Sequence, residues 1–245
     1  MSELDEIGGF WDGIEANTLE SIRYVFSALL PPERITTRDW ADKYRYFAPE
    51  EGATQGKYRT SSIYYFSWKN NPLDELDNPD VHTLVFMKSA QIAWTTGVVG
   101  NYLGKRITHE PGPMMIMFAQ EYSAKAWDKE KFKPMVRATP ILSEKVNLRG
   151  NWDHKEFPGG FLKLVNAGSV AGVKSTPIAV VFVEEPDDCN ANIKGQGDSI
   201  TLAKERQKTY SDDRKLLVIG GTPTIKGKSA VDDQMKLSDQ RYGYV

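Results

Sequence analysis

Ile178-Ala179-Val180-Val181-Phe182-Val183-Glu184-Glu185-Pro186-Asp187-Asp188 is a run of six apolar residues that ends in four carboxylates. An apolar run this short, without polar alternation, reads as a strand buried on both faces. Four acids at its end repel one another unless they are solvated, paired or bound to a cation. The same layout is the Walker-B arrangement, in which the first acid holds Mg2+, usually through water, and the next orients or deprotonates an attacking water. A solvated acidic loop is the competing reading.

Outward from this strand, similar short runs occupy 83–87, 114–119, 161–167 and 215–220, separated by stretches long enough for crossover helices. Such a series predicts an α/β fold with a mainly parallel central sheet flanked by helices. Residues 121–133 are helix-like, carry Trp127, Lys129, Lys131 and Lys133, and are expected to close at Pro134. A solvated face accounts for those lysines.

The run 83–87 leads into Lys88-Ser89-Ala90-Gln91-Ile92-Ala93-Trp94-Thr95, and a helix is expected from Thr95 to about Arg106. A strand-to-helix junction favours anions, because free backbone N–H groups and the helix dipole meet there. Against G-x-x-x-x-G-K-[ST] the match is poor: Lys88 and Ala93 replace the glycines, Trp94 replaces the lysine, and only Thr95 agrees. Taken alone the segment is equally a plain turn. A third element, 216–220, enters Gly221-Thr222-Pro223-Thr224, where small and hydroxyl residues can sense a phosphate or simply turn the chain. All three elements fall at strand C-terminal ends, where open α/β sheets bind ligands.

Composition narrows the remaining classes. The 245 residues are 40% hydrophobic and 26% charged, enough for a sizeable core. A net charge of -2 argues against a general basic coat for nucleic acid, so any DNA contact is local. The single cysteine, Cys189, excludes an internal disulfide or a cysteine zinc site and fits a reducing compartment. Neither a signal peptide nor a membrane span is expected. Leu19, Ile22, Phe26 and Leu29 recur at helical spacing before Pro31-Pro32. Residues 1–35 are therefore expected to form an N-terminal helix, packed on its own domain or docking a partner, ahead of a domain over 36–245.

From about Arg38 to Val245 the sequence resembles the large terminase subunits of lambda-like tailed phages. Lys88-Ser89-Ala90-Gln91-Ile92, Ser175-Thr176-Pro177-Ile178 leading into Glu184-Glu185, and Gly221-Thr222-Pro223-Thr224 with Lys226-Gly227 carry the likeness. It implies a P-loop NTPase fold of the ASCE type and an ATPase motor that uses ATP and Mg2+ to package DNA. It further implies that Lys88 supplies the charge on the phosphates from the start of a loop running through Ser89, Ala90, Gln91, Ile92, Ala93 and Trp94. Thr95 or Thr96 would offer a hydroxyl to Mg2+, with Trp94 as packing. Glu184 would serve the metal, Glu185 would be the catalytic carboxylate and Thr222 the coupling residue. Gln55, Lys57 and Tyr58 would contact adenine. Arg206 matches a basic position that serves either phosphate sensing or a structural ion pair. The partners implied are double-stranded DNA, the terminase small subunit, the portal protein and further copies of the chain in a ring, in the host cell cytoplasm.

Two departures stand out. The family carries aspartate where Glu184 stands, so Glu184→Asp is expected to leave activity equal or higher, and Thr176 stands where many relatives have arginine. Its C-terminal nuclease domain is not expected in these residues. The alternatives are a non-catalytic nucleotide-binding or assembly module with degenerate motifs, and a helicase fragment, disfavoured because no second motor domain follows.

Overall fold

The computed structural model describes residues 33–51, 56–63, 66, 71–169, 176–189, 197–225 and 227–243, together with Thr18. The helix expected around Leu19–Leu29, Gln55, Ser175 and Lys226 lie outside them. The chain divides into two units, Met1–Arg34 and Ile35–Val245, and the second carries the features below.

Helix α1 (Thr37–Tyr44) starts where the Thr36 side chain accepts the Asp39 N–H, which satisfies a donor that the first turn leaves free. The short strands β1 (Tyr46–Phe47) and β2 (Gly56–Lys57) pair antiparallel. Helix α2 (Pro72–Leu76) is capped by Asn71 and has Pro72 in its first turn, where a missing N–H costs nothing. After β3 (Thr83–Met87), a π-helical turn, Trp94–Gly100, runs into α3 (Asn101–His109). The expected helix is thus present and longer than anticipated, with a wide first segment. Strand β4 (Pro113–Phe118) precedes α4 (Glu121–Trp127), which passes through a π turn, Asp128–Phe132, into α5 (Lys133–Ala138) and then α6 (Pro140–Ser143). Pro134 does not end this helix. It sits in the first turn of α5, where proline is tolerated.

Strands β5 (His154–Phe157) and β6 (Gly160–Asn166) form a hairpin over Pro158-Gly159. Gly159 takes φ 83°, the left-handed value that a proline-glycine turn demands at its third position. Strand β7 (Val180–Glu184), helix α7 (Ser199–Glu205, capped by Asp198), strand β8 (Leu216–Gly221) and helix α8 (Ala230–Lys236, capped by Ser229) complete the described elements.

The large sheet has the order β3-β8-β7-β4-β6-β5, and every pairing is parallel except β5 with β6. The mainly parallel sheet flanked by helices is the predicted fold class. The polar edge strand β5 was not anticipated. Successive residues alternate between two cores: Met114, Ile116, Val180, Phe182, Leu216 and Val218 face one side, and Met115, Met117, Val181, Val183, Leu217 and Ile219 the other. Apolar side chains are therefore needed at consecutive positions, which is why these strands lack polar alternation.

On the first side α1 lies against α3, where Trp40 is fully buried and its indole donates to Thr108 Oγ1 at 2.8 Å. Gly104 permits this approach, since a Cβ there would lie 1.9 Å from the Trp40 ring. Gly104→Ala is expected to lower the unfolding free energy by about 1–3 kcal/mol, as overpacking in a filled core does, and urea denaturation measures it.

Candidate active site

The C-terminal ends of β3, β8 and β7 lie side by side. Beyond β3 the Lys88 N–H donates to the Gly221 carbonyl at 3.0 Å, and beyond β7 the Glu185 N–H donates to the Gly220 carbonyl at 2.9 Å. Lys88 and Glu185 thus flank the end of β8, roughly 9.6 Å apart by backbone if two strand spacings separate them. Neither Gly220 nor Gly221 carries a side chain into the gap, and Lys88 Nζ reaches Glu185 Oε1 at 2.5 Å. The Lys88 side chain is 8% exposed and that of Glu185 38%, so the pair opens to solvent on the carboxylate side. A Cβ on Gly221 would stand 2.5 Å from Pro186 Cδ and push the turn that carries Glu185.

The other oxygen of Glu185 accepts the Thr222 N–H at 2.8 Å. Asp187 gathers four donors from the far side of β8: Thr224 N–H at 3.0 Å, the Thr224 hydroxyl at 2.6 Å, the Ser229 hydroxyl at 3.1 Å and Val231 N–H at 3.0 Å. Burial pushes its pKa up, but these hydrogen bonds, the Thr224 hydroxyl foremost, outweigh burial and hold the carboxyl below its ordinary value. Asp187 therefore ties the turn after β7 to the start of α8, which packs on β3. Of the four acids, only Asp188 is an exposed residue. The acidic cluster is mostly paired, and the importance of Asp187 was hidden because its partners lie 37 to 44 residues away.

Ser89, Ala90 and Gln91 are exposed, and Ile92, Ala93, Thr95 and Thr96 are half-buried, across the loop and the first turn after it. Gln91 and Ala93 both hold φ 59°, and Glu185 holds φ 49°, left-handed values that cost a non-glycine residue roughly 1–3 kcal/mol each. Such strain gathers where a backbone is shaped for a ligand, and here it gathers on the two segments that face each other.

Trp94, expected as packing, does more. It stacks on Phe86 at 5.0 Å between ring centres and 15° between planes, and its indole N–H donates to Glu184 Oε1 at 2.8 Å. Burial pushes the Glu184 carboxyl up to about 7; the Trp94 N–H and the Lys88 charge oppose this, and Glu185 adds to it.

The structure gathers Lys88, the loop through Thr96, Glu184, Glu185 and Thr222, and it does not bring in Tyr58. That side chain is fully buried and tilted against Phe47 at 5.3 Å, so it has no surface to offer adenine, and burial pushes its hydroxyl up to about 12. Lys57 is exposed on β2. Arg206 follows α7, and its carbonyl accepts the Ile178 N–H at 3.1 Å. No group of three metal-binding side chains occurs among the described residues. Mg2+ does not require one, because it keeps several waters and takes one or two carboxylates beside phosphate oxygens. The Thr95 hydroxyl and the Glu184 carboxylate have suitable chemistry, with one Glu184 oxygen already engaged.

Comparison with known proteins gives the family and the fold. The family described as "Phage terminase large subunit gpA, ATPase domain" matches residues 52–245. A terminase large subunit of Enterobacteria phage P21 is 21% identical over 224 residues, covering 89% of this chain and 34% of that protein. The HK97 bacteriophage large terminase, at 14% identity and TM-score 0.62, matches over 84% of this chain and 42% of its own, which establishes a shared fold. The chain thus spans about a third to two fifths of the length of these relatives.

The depressed Asp187 carboxyl gives a pH test. A group whose folded value lies below its unfolded value, about 3.9 for aspartate, contributes fully above that value and loses the contribution as pH falls through the folded one. The thermal-midpoint gap between the native chain and Asp187→Asn should be constant from about pH 5 to 8 and close below about pH 4.

Proposed function

Because this chain belongs to the phage terminase large subunit gpA ATPase domain family, we propose that it hydrolyses ATP where β3, β8 and β7 end, as the motor that drives double-stranded DNA into a viral procapsid. The observation that carries this reading is the meeting of Lys88 and Glu185 across the bare end of β8, at 2.5 Å and 97 residues apart in sequence.

Each partner neutralises the other when no nucleotide competes. ATP phosphates draw the Lys88 ammonium away, since a triphosphate offers more negative charge than one carboxylate. Glu185 is thereby released to orient and deprotonate the attacking water, still anchored through the Thr222 N–H. Mg2+ bound with the nucleotide supplies positive charge to the phosphate oxygens, and Thr95 and Glu184 are the residues that would hold it. Loss of the γ-phosphate lets Lys88 return to Glu185. That return changes the load on Thr222 and, through Asp187, on α8, which makes Thr222 the coupling residue.

The wider setting follows from the family. The terminase small subunit, the portal protein and double-stranded DNA are the partners, the working form is a ring of copies, and the place is the host cell cytoplasm. With a net charge of -2, duplex binding by the isolated chain is weak and falls steeply with salt. No helix among the described residues is long and apolar enough to cross a membrane. The competing reading, a non-catalytic nucleotide-binding module, draws on the fact that the Lys88–Glu185 pair is satisfied without nucleotide.

Steady-state ATPase and nucleotide-binding assays separate the two. Lys88→Ala should lower turnover by about a hundredfold or more. Glu185→Gln should lower turnover to a similar extent, yet bind ATP at least as tightly as the native chain, because the competing carboxylate charge is gone. A native chain that binds ATP without hydrolysing it supports the binding module, and a Glu185→Gln chain with native turnover places hydrolysis at another site.

A further inference from the structure

We propose that Trp94 is the positioning residue for the Glu184 carboxylate, and that the length of the Glu184 side chain is matched to the indole held at 94. The proposal rests on the ATPase reading of this site and adds to it a role for a residue that phosphate-loop chemistry leaves without one.

The indole is held on several sides. Trp94 is 3% exposed, its ring lies on Phe86, and it covers Gly220 so closely that a Cβ there would stand 2.2 Å from the ring. Its backbone follows the left-handed Ala93, whose carbonyl accepts the Gly97 N–H across the wide helical turn. This packing sets the direction of its single N–H. An indole only donates, and Glu184 Oε1 receives that hydrogen bond at 2.8 Å within the protein.

Three elements therefore converge on one carboxylate: the phosphate loop supplies the indole, β8 supplies the bare backbone beneath it, and β7 supplies the acid. Glu184 is paired in register with Gly220, the residue under the ring, so strand pairing sets its distance from Trp94. Aspartate at 184 is shorter by one carbon–carbon bond, roughly 1.5 Å. It would leave a buried indole N–H and a buried carboxylate without each other, an outcome more costly than never having had the pair. The indole holds one Glu184 oxygen, and the other is the one that would serve Mg2+ when it is bound. In this chain the indole performs the orientation that a freely rotating side chain lacks. The expectation that Glu184→Asp leaves activity equal or higher is thereby reversed.

The test is a double-mutant cycle on the whole chain with Trp94→Phe, which keeps the stacked ring and removes the N–H, Glu184→Asp, and the double variant. Each is measured for ATPase kcat and KM and for its urea unfolding midpoint. Each single variant is expected to lose about tenfold or more in kcat with KM for ATP nearly unchanged, and the double variant no more than the worse single one. The unfolding midpoints should be non-additive in the same sense.

Native kcat in Trp94→Phe, or losses that multiply in the double variant, would overturn the proposal. Coupled unfolding midpoints with uncoupled kcat would make the bond structural only and overturn it as well. A failure of the ATPase reading looks different, because the native chain, Lys88→Ala and Glu185→Gln would then hydrolyse ATP equally or not at all, and the positioning role would fall with it.

Discussion

Two adjacent glycines at the end of one central strand hold the site together. β8 is hydrogen-bonded between β3 and β7, and any side chain at its last two residues would collide with a neighbour, Trp94 at Gly220 and Pro186 at Gly221. Because those positions are bare, Lys88 from one flank meets Glu185 from the other, and the Trp94 ring lies down over the strand to reach Glu184. The parallel order β3-β8-β7 places all three strand ends in one row, as ligand sites in open α/β sheets require. Packing on both faces keeps that row rigid: alternate residues of β4, β7 and β8 anchor two separate cores, so a strand cannot shift register without exposing one of them.

The electrostatics follow from the same closeness. Four acids at a strand end are tolerable because three of them are engaged: Glu184 by an indole, Glu185 by an ammonium and a backbone N–H, and Asp187 by four donors. The engagements differ in kind, and so do their consequences. Asp187 is over-satisfied and stays ionised, as a fixed staple should. Glu184 is buried with the Trp94 indole as its one hydrogen-bond donor among the described residues, and burial pushes it up to about 7. Glu185 is partly exposed and is balanced by a cation that a phosphate would attract, the state expected of a group that must be released on demand.

Much of this was legible in the residues. Short apolar runs without alternation pointed to a sheet buried on both faces, and the strand-end positions of Lys88, Glu184 and Thr222 placed them in one row even though the phosphate loop matches its usual pattern poorly. The resemblance to large terminase subunits named those positions as a group, and they lie together at the strand ends. What the residues concealed were relations that only tertiary structure creates. Trp94 reads as packing because nothing local says that a glutamate 90 residues away lies beneath its N–H. The resemblance makes Tyr58 an adenine contact, yet its side chain is fully buried against Phe47. β5 shows no apolar run because its buried Lys155 is satisfied by Asp128, a partner 27 residues away, and Pro134 falls in a first turn that a π-helical segment creates just ahead of it.

The central claim is that Lys88 and Glu185 are partners that a nucleotide separates. The most direct measurement is a crystal structure of the chain with a non-hydrolysable ATP analogue and Mg2+. The account predicts the terminal phosphates beside Lys88 Nζ, the Lys88–Glu185 contact broken, and Glu185 turned toward the γ-phosphate while still accepting the Thr222 N–H. A bound nucleotide that leaves the 2.5 Å pair intact, with its phosphates elsewhere on the sheet, would contradict it.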